Sequence, residues 1–234
     1  MALLNRYKNK YFSILGDSIS TFEGVSLPKE GAFYDTFKKL SANVLTVAHT
    51  WWGQVIDALG GRLLVNNSIS GSTVTWHKDY EYQSYGCSDE RTSALGDESQ
   101  VPDVIIVYLG TNDWGHGIKI VSEGNEEEDL SFFECAYLTM LKKIKNNYPK
   151  AEIWCCTLST SYCSRSKSFE FPYYSGGRHL FEFCESIRKI AKLEDCRLIE
   201  LYKNAKPYDT IDGFHPNNEG MKNIANNFLA NILQ

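Results

Sequence analysis

Apolar residues gather in five short runs, at 11–15, 62–66, 103–109, 152–158 and 196–201, separated by much longer mixed stretches. Most runs are continuous rather than alternating, as expected of parallel strands covered on both faces. Between them, hydrophobic positions recur at helical spacing. Trp52, Val55, Ile56 and Leu59 form one stripe, closed by Gly60-Gly61, a pair suited to a left-handed helix cap. A second helix is predicted to begin in the acidic cluster Glu126, Glu127, Glu128 and Asp129 and to carry Leu130, Phe133, Tyr137, Leu141 and Ile144 on one face. It ends near Lys142, Lys143 and Lys145, so acid at the start and base at the end match the helix dipole, and Pro149 bars continuation. Two more stripes follow, through Leu180, Phe181, Cys184, Ile187 and Ala191, and through Met221, Ile224, Ala225, Phe228 and Leu229.

Strand and helix alternate, and right-handed crossovers then return the chain to one strand direction. The predicted fold is α/β, a three-layer α/β/α sandwich around about five parallel strands. Ligands in such folds bind beyond the carboxyl ends of the strands, so chemical groups should follow strands rather than sit within them. Three long connections, 20–49, 71–101 and 159–177, are of a length that carries function or small elements of its own. With 234 residues and no linker, the chain reads as one domain spanning 1–234.

Composition narrows the partners. A net charge of −5 without a basic stripe excludes nucleic acid and disfavours anionic membranes. No apolar run approaches the roughly 18 residues of a membrane span. Residues 1–10 scatter Arg6, Lys8 and Lys10 and assemble no secretory signal, so the expected location is cytoplasmic unless a signal has been removed. Seven cysteines without C-x-x-C spacing argue against a disulfide framework and against a zinc site. Adjacent Cys155 and Cys156 should face opposite sides of a strand as buried hydrophobes.

Four segments that follow strands carry candidate chemistry. Gly16-Asp17-Ser18 places a serine where a strand passes into a turn. Asn67-Ser68-Ile69-Ser70-Gly71 offers, at Gly71, a backbone N–H that a ligand can approach closely. Gly110-Thr111-Asn112-Asp113 aims a side-chain amide toward the same crevice. Asp212-Gly213-Phe214-His215-Pro216 sets a carboxylate three residues before an imidazole, and Pro216 suits the first turn of the next helix. Each segment alone is ordinary turn chemistry. Together they supply a hydroxyl, a base, a group to orient the base and donors for an oxyanion, the set required for acyl transfer.

These blocks make the chain resemble the SGNH hydrolases, the GDSL-type esterases and lipases, which are named for a serine, a glycine, an asparagine and a histidine in four ordered blocks. Ser18, Gly71, Asn112 and His215 with Asp212 match in order. Ile19 replaces the usual leucine, which keeps the position apolar. The resemblance implies a flavodoxin-like fold and a serine ester hydrolase that works through an acyl-enzyme, without metal or cofactor. It implies Ser18 as nucleophile, His215 as base, Asp212 as its orienting partner, and the N–H groups of Ser18 and Gly71 with the Asn112 amide as oxyanion hole.

Rival readings rank lower. Asp113-Trp114-Gly115-His116 is a second Asp-x-x-His, but Asp113 belongs to the asparagine block and is expected to brace its loop. The segment Asp17-Ser18-Ile19-Ser20-Thr21 is similar to the nucleophile loop of haloacid-dehalogenase-like phosphatases, yet Ser20 stands where a second acid is required. No G-x-S-x-G elbow or Walker phosphate loop is present. A non-catalytic carbohydrate-binding protein is the alternative outside enzymes. Trp51, Trp52, Trp76, Trp114, Tyr80, Tyr82, Tyr173 and Tyr174 are candidates to rim the crevice, with core packing the competing reading. The expected partner is a small ester, first a short-chain acyl or acetyl ester such as that of a carbohydrate, with lysophospholipid and thioester substrates as alternatives. Nothing in the sequence sets an oligomeric state.

Overall fold

The computed structural model describes residues 6–27, 31–78, 84–121, 129–203 and 205–232. Strands β1 (Tyr11–Gly16), β2 (Arg62–Ser68), β3 (Val104–Tyr108), β4 (Glu152–Cys156) and β5 (Arg197–Ile199) form one parallel sheet in the order β2-β1-β3-β4-β5. That is the flavodoxin-like winding, with its switch point between β1 and β3. The helices are α1 (Thr36–Ala42), α2 (Trp51–Ala58), α3 (Asp89–Ser93), α4 (Thr111–Gly115), α5 (Phe133–Asn147), α6 (Leu180–Leu193) and α7 (Asn218–Ile232).

Strand alternation divides the core into two layers. Val104, Ile106 and Tyr108 of β3 pack with α2 and α7, whereas Ile105 and Val107 pack with α5 and α6. Cys156 joins the first layer and Cys155 the second, the opposed arrangement expected of neighbours in a strand. Trp51 and Trp52 are fully buried in the first layer, so neither rims a crevice. Tyr80 and Tyr82 lie outside the described residues.

Helix ends correct two expectations. Helix α2 stops as predicted, with Gly60 at φ +67°. Helix α5, however, begins at Phe133, beyond the acidic cluster. Glu126, Glu127 and Glu128 lie outside the described residues, and the Asp129 carboxylate accepts from the Ser131 N–H at 2.9 Å in a turn before the helix. The first helical N–H groups, of Phe133 and Glu134, instead donate to the carbonyls of Lys119 and Ile120. Helix α7 begins at Asn218, after Pro216, and the Asn217 side chain accepts from the Gly220 N–H at 2.9 Å. Proline is therefore held outside the first turn. In α6, Phe181 leaves the buried face and is 39% exposed.

Register aligns the strand ends. Gly16 pairs with Ser68 on one side and Tyr108 on the other, so the segments that follow β1, β2 and β3 emerge at one edge of the sheet.

Candidate active site

Ser18 opens a short 3-10 turn directly beyond β1. The Asp17 side chain caps it by accepting from the Ile19 N–H at 3.0 Å, and the Thr21 hydroxyl donates to the Ser18 carbonyl at 2.9 Å. The indole of Trp52 and the amide of Asn66 both donate to the Ser20 carbonyl at 2.9 Å, bolting the turn to α2 and β2. Such anchoring holds Ser18 in place while leaving it 8% exposed.

The Asp212–His215 segment reaches the same spot from beyond β5. A two-residue parallel ladder, Ser161–Tyr162 with Tyr208–Asp209, carries it there. Within the loop, the Thr210 hydroxyl donates to the Tyr162 carbonyl at 2.7 Å and accepts from the Gly213 N–H at 2.9 Å. Asp212 Oδ1 accepts from the backbone N–H groups of Phe214 and His215, at 3.0 and 2.8 Å, and Oδ2 lies 2.8 Å from His215 Nδ1. His215 Nε2 lies 2.9 Å from Ser18 Oγ. The three side chains therefore form a continuous chain of hydrogen bonds. Burial works to raise the Asp212 carboxyl, but hydrogen bonds from the His215 ring and from the His215 and Phe214 N–H groups outweigh it and hold the group down at about 2. An ionised Asp212 fixes the Nδ1–H tautomer, which leaves Nε2 to accept from Ser18.

Asn112 lines the same cavity as Ser18 and His215, and it is bonded to Ser72, the residue after Gly71. Asn112 Nδ2 donates to the Ser72 carbonyl at 2.8 Å, which ties α4 to the Gly71 loop and leaves a second amide hydrogen for another acceptor. Gly71 takes φ +75°, a left-handed backbone that glycine suits, and a Cβ built there would meet no atom within 4 Å; it is not itself among the residues that line the cavity beside Ser18 and His215. Asp113 does brace the loop: its carboxylate accepts from the N–H groups of Val74 and Thr75 and from the Thr75 hydroxyl, at 2.8, 3.0 and 2.7 Å. Burial pushes that carboxyl up to about 6 against those bonds. Asp113 is thereby committed to residues 74 and 75 rather than to a second triad.

Several neighbours left no recognisable signal in the sequence. Arg91 of α3 is 4% exposed and donates to Ser72 Oγ and Ser84 Oγ at 2.7 and 2.6 Å, and to the carbonyls of Gly16 and Asn67 at 3.1 and 2.8 Å. It thus supports the ends of β1 and β2 and the Gly71 loop from below. Burial raises Asp17 to about 7, with repulsion from Asp113 adding to the rise, against the Ile19 hydrogen bond and the attraction of Arg91. Phe33 lies flat on the His215 ring, centroids 3.5 Å apart and planes 8° apart.

A cavity of about 340 Å³ opens beside Ser18 and His215, with Ile19, Asn112, Trp114, Pro172, Ser175 and Phe214 among its walls. Trp114 stacks on Phe171 at 5.5 Å, and Phe214 lies 6.3 Å from Trp114 and 6.4 Å from Phe169, so the apolar wall continues into the 159–177 connection. The Ser175 hydroxyl donates to the Gly115 carbonyl at 2.7 Å. Tyr173 and Tyr174 flank that contact and are 47% and 68% exposed, whereas Trp76, 37% exposed, is not among the wall residues. Among the described residues, no cluster of three His, Cys, Asp or Glu side chains is arranged to hold a metal ion, and no helix is long and apolar enough to cross a membrane.

Comparison with known proteins agrees with this fold. The GDSL-like Lipase/Acylhydrolase family matches residues 10–168. The structure of a GDSL-like lipase from Bacteroides uniformis is 30% identical, aligned over 94% of this chain and 93% of its own, with TM-score 0.68. One from Bacteroides ovatus is 29% identical over 95% and 97%, also at 0.68. A carbohydrate acetylesterase from Sinorhizobium meliloti, 15% identical over 93% and 95% with TM-score 0.62, shares the fold. Among curated proteins, none matches the sequence significantly. A doubly wound sheet, four ordered sequence blocks meeting at its edge and a family match across most of the chain lead to one conclusion: this protein belongs to the GDSL-like lipase/acylhydrolase family, the SGNH hydrolases, and is an ester hydrolase.

Proposed function

We propose that this hydrolase acts through Ser18, His215 and Asp212 on short-chain acyl or acetyl esters, including those of carbohydrates. The observation that carries the reading is the unbroken path from Asp212 Oδ2 through His215 to Ser18 Oγ, with steps of 2.8 and 2.9 Å. Both distances lie within the range that proton transfer requires. His215 Nε2 takes the Ser18 proton as Oγ attacks the ester carbonyl, and the tetrahedral oxyanion accepts from the Ser18 and Gly71 N–H groups and from Asn112 Nδ2. Collapse expels the alcohol, which receives the proton from His215, and leaves an ester on Ser18. Water then attacks that ester, gives its proton to His215, and the acid departs as the proton returns to Ser18 Oγ.

The substrate reading rests on the cavity. At about 340 Å³ it lies near the lower end for small-molecule sites, and Trp114, Phe214 and Pro172 make its walls apolar. Such a space suits a short acyl group or one sugar ring laid on an aromatic face. A long lipid chain would have to leave it.

The test is turnover of p-nitrophenyl acetate, butyrate and octanoate and of acetylated sugars by wild type, Ser18→Ala, His215→Ala and His116→Ala. The expected result is loss of activity in the first two variants, most activity kept in the third, and a fall from acetate to octanoate. Full activity in Ser18→Ala removes the mechanism. A preference for octanoate moves the substrate to lipid esters.

A further inference from the structure

In-plane hydrogen bonds hold both nitrogens of the His215 ring, but they do not hold its faces. Phe33 covers one face, at 3.5 Å and 8°. The backbone of Phe33 is tied to the nucleophile turn, because its N–H donates at 2.9 Å to the Thr21 hydroxyl, which itself donates at 2.9 Å to the Ser18 carbonyl. The next residue is tied to the histidine loop: Tyr34 is fully buried and its hydroxyl donates to the Pro216 carbonyl at 2.6 Å. Phe33 and Tyr34 also pack edge to face at 5.1 Å. The 20–49 connection thus grips Ser18 and His215 together and lays a ring on the imidazole.

We propose that Phe33 is a positioning residue for His215, whose ring keeps Nε2 aimed at the reacting carbonyl after acylation has removed the Ser18 hydroxyl. This rests on His215 being the base. Once Oγ is esterified it has no proton to donate, and the Nε2 contact that orients the ring in the free enzyme is lost. What remains is the bond to Asp212, whose side chain is 40% exposed and open to competition from water, together with the Phe33 stack. The stack blocks rotation of the imidazole away from the acyl carbonyl during the water attack. It also presents an aromatic face to the imidazolium formed at each tetrahedral stage, an attraction that strengthens as charge appears. The step that depends most on Phe33 is therefore deacylation.

The experiment compares wild type, Phe33→Leu, Phe33→Tyr and His215→Ala on p-nitrophenyl acetate, recording the pre-steady-state release of p-nitrophenol, kcat, KM and the thermal midpoint. Leucine keeps apolar volume without a flat face, so the fold is retained. A misplaced base costs on the order of 10²-fold. The expected result for Phe33→Leu is a kcat roughly 10- to 10²-fold lower, KM unchanged or lower, and a stoichiometric burst as acyl-enzyme accumulates. Phe33→Tyr restores most of the turnover. Wild-type kcat in Phe33→Leu, or a loss confined to KM with no burst, overturns the proposal. Retained activity in His215→Ala instead removes the base assignment beneath it, whatever Phe33 does.

Discussion

Replacing Asp17 by asparagine should make the protein more stable above neutral pH and leave it almost unchanged in mild acid. Asp17 is 2% exposed, and burial lifts its carboxyl to about 7 from an ordinary value near 3.8. Between those values the folded chain binds a proton that the unfolded chain has released, so stability falls as pH rises through the window and levels off above about 7. At about 1.4 kcal/mol per tenfold change in acidity, the whole window amounts to as much as ~4 kcal/mol, with the opposing attraction of Arg91 already included. Asparagine is close in shape to the protonated acid and retains an oxygen to accept from the Ile19 N–H. Urea denaturation of both proteins should therefore give similar stabilities at about pH 4.5, with Asp17→Asn pulling ahead by up to ~4 kcal/mol at about pH 8. Asp113, raised to about 6 by burial, adds a slope of the same sign to both proteins; its repulsion with Asp17 disappears along with the Asp17 charge, which reinforces the advantage of Asp17→Asn at high pH. A stability difference that is constant with pH, or one that grows toward acid, refutes the assignment of a protonated Asp17.

Other consequences follow from the same contacts. Asn112→Ala removes one proposed oxyanion donor and should lower kcat by roughly 10²- to 10³-fold with little change in KM. Arg91→Met strips four hydrogen bonds from beneath the strand ends and leaves the Gly16 and Asn67 carbonyls without that partner, so denaturation should report a loss of about 2–5 kcal/mol. Gly176→Ala would place a Cβ 2.5 Å from Gly117 Cα, pushing the 159–177 connection away from the cavity. Its expected effect is a higher KM for acetyl esters and a weaker penalty for longer acyl chains, read from kcat/KM across the ester series.

How much of this was legible in the sequence depends on distance along the chain. The three central strands announced themselves because they are buried on both faces, and a parallel sheet then made it predictable that the segments after β1, β2 and β3 would emerge at one edge, as the register of Gly16 with Ser68 and Tyr108 has them do. Asp212 and His215 were legible as a pair because three residues of loop suffice to join them. Arg91 and Phe33 were not. Each acts on groups far away in the chain, Arg91 through an isolated basic residue in an acidic segment and Phe33 through a ring in an unpatterned connection, and neither position has a local periodicity to mark it. The start of α5 was misread for a related reason. The helix starts only after the Asp129 turn, where the Lys119 and Ile120 carbonyls, which no local pattern marks, accept from its first N–H groups. Trp51 and Trp52 fall to the core-packing reading, which the helical stripe through Trp52, Val55, Ile56 and Leu59 already favoured for Trp52.

The most direct test of the central claim is peptide mapping of the protein after reaction with a fluorophosphonate ester, which traps an activated serine as a stable covalent adduct. One adduct is expected, on Ser18, formed rapidly in wild type, far more slowly in His215→Ala and not at all in Ser18→Ala. An adduct on any other residue, or rapid labelling of Ser18 that persists without His215, would contradict it.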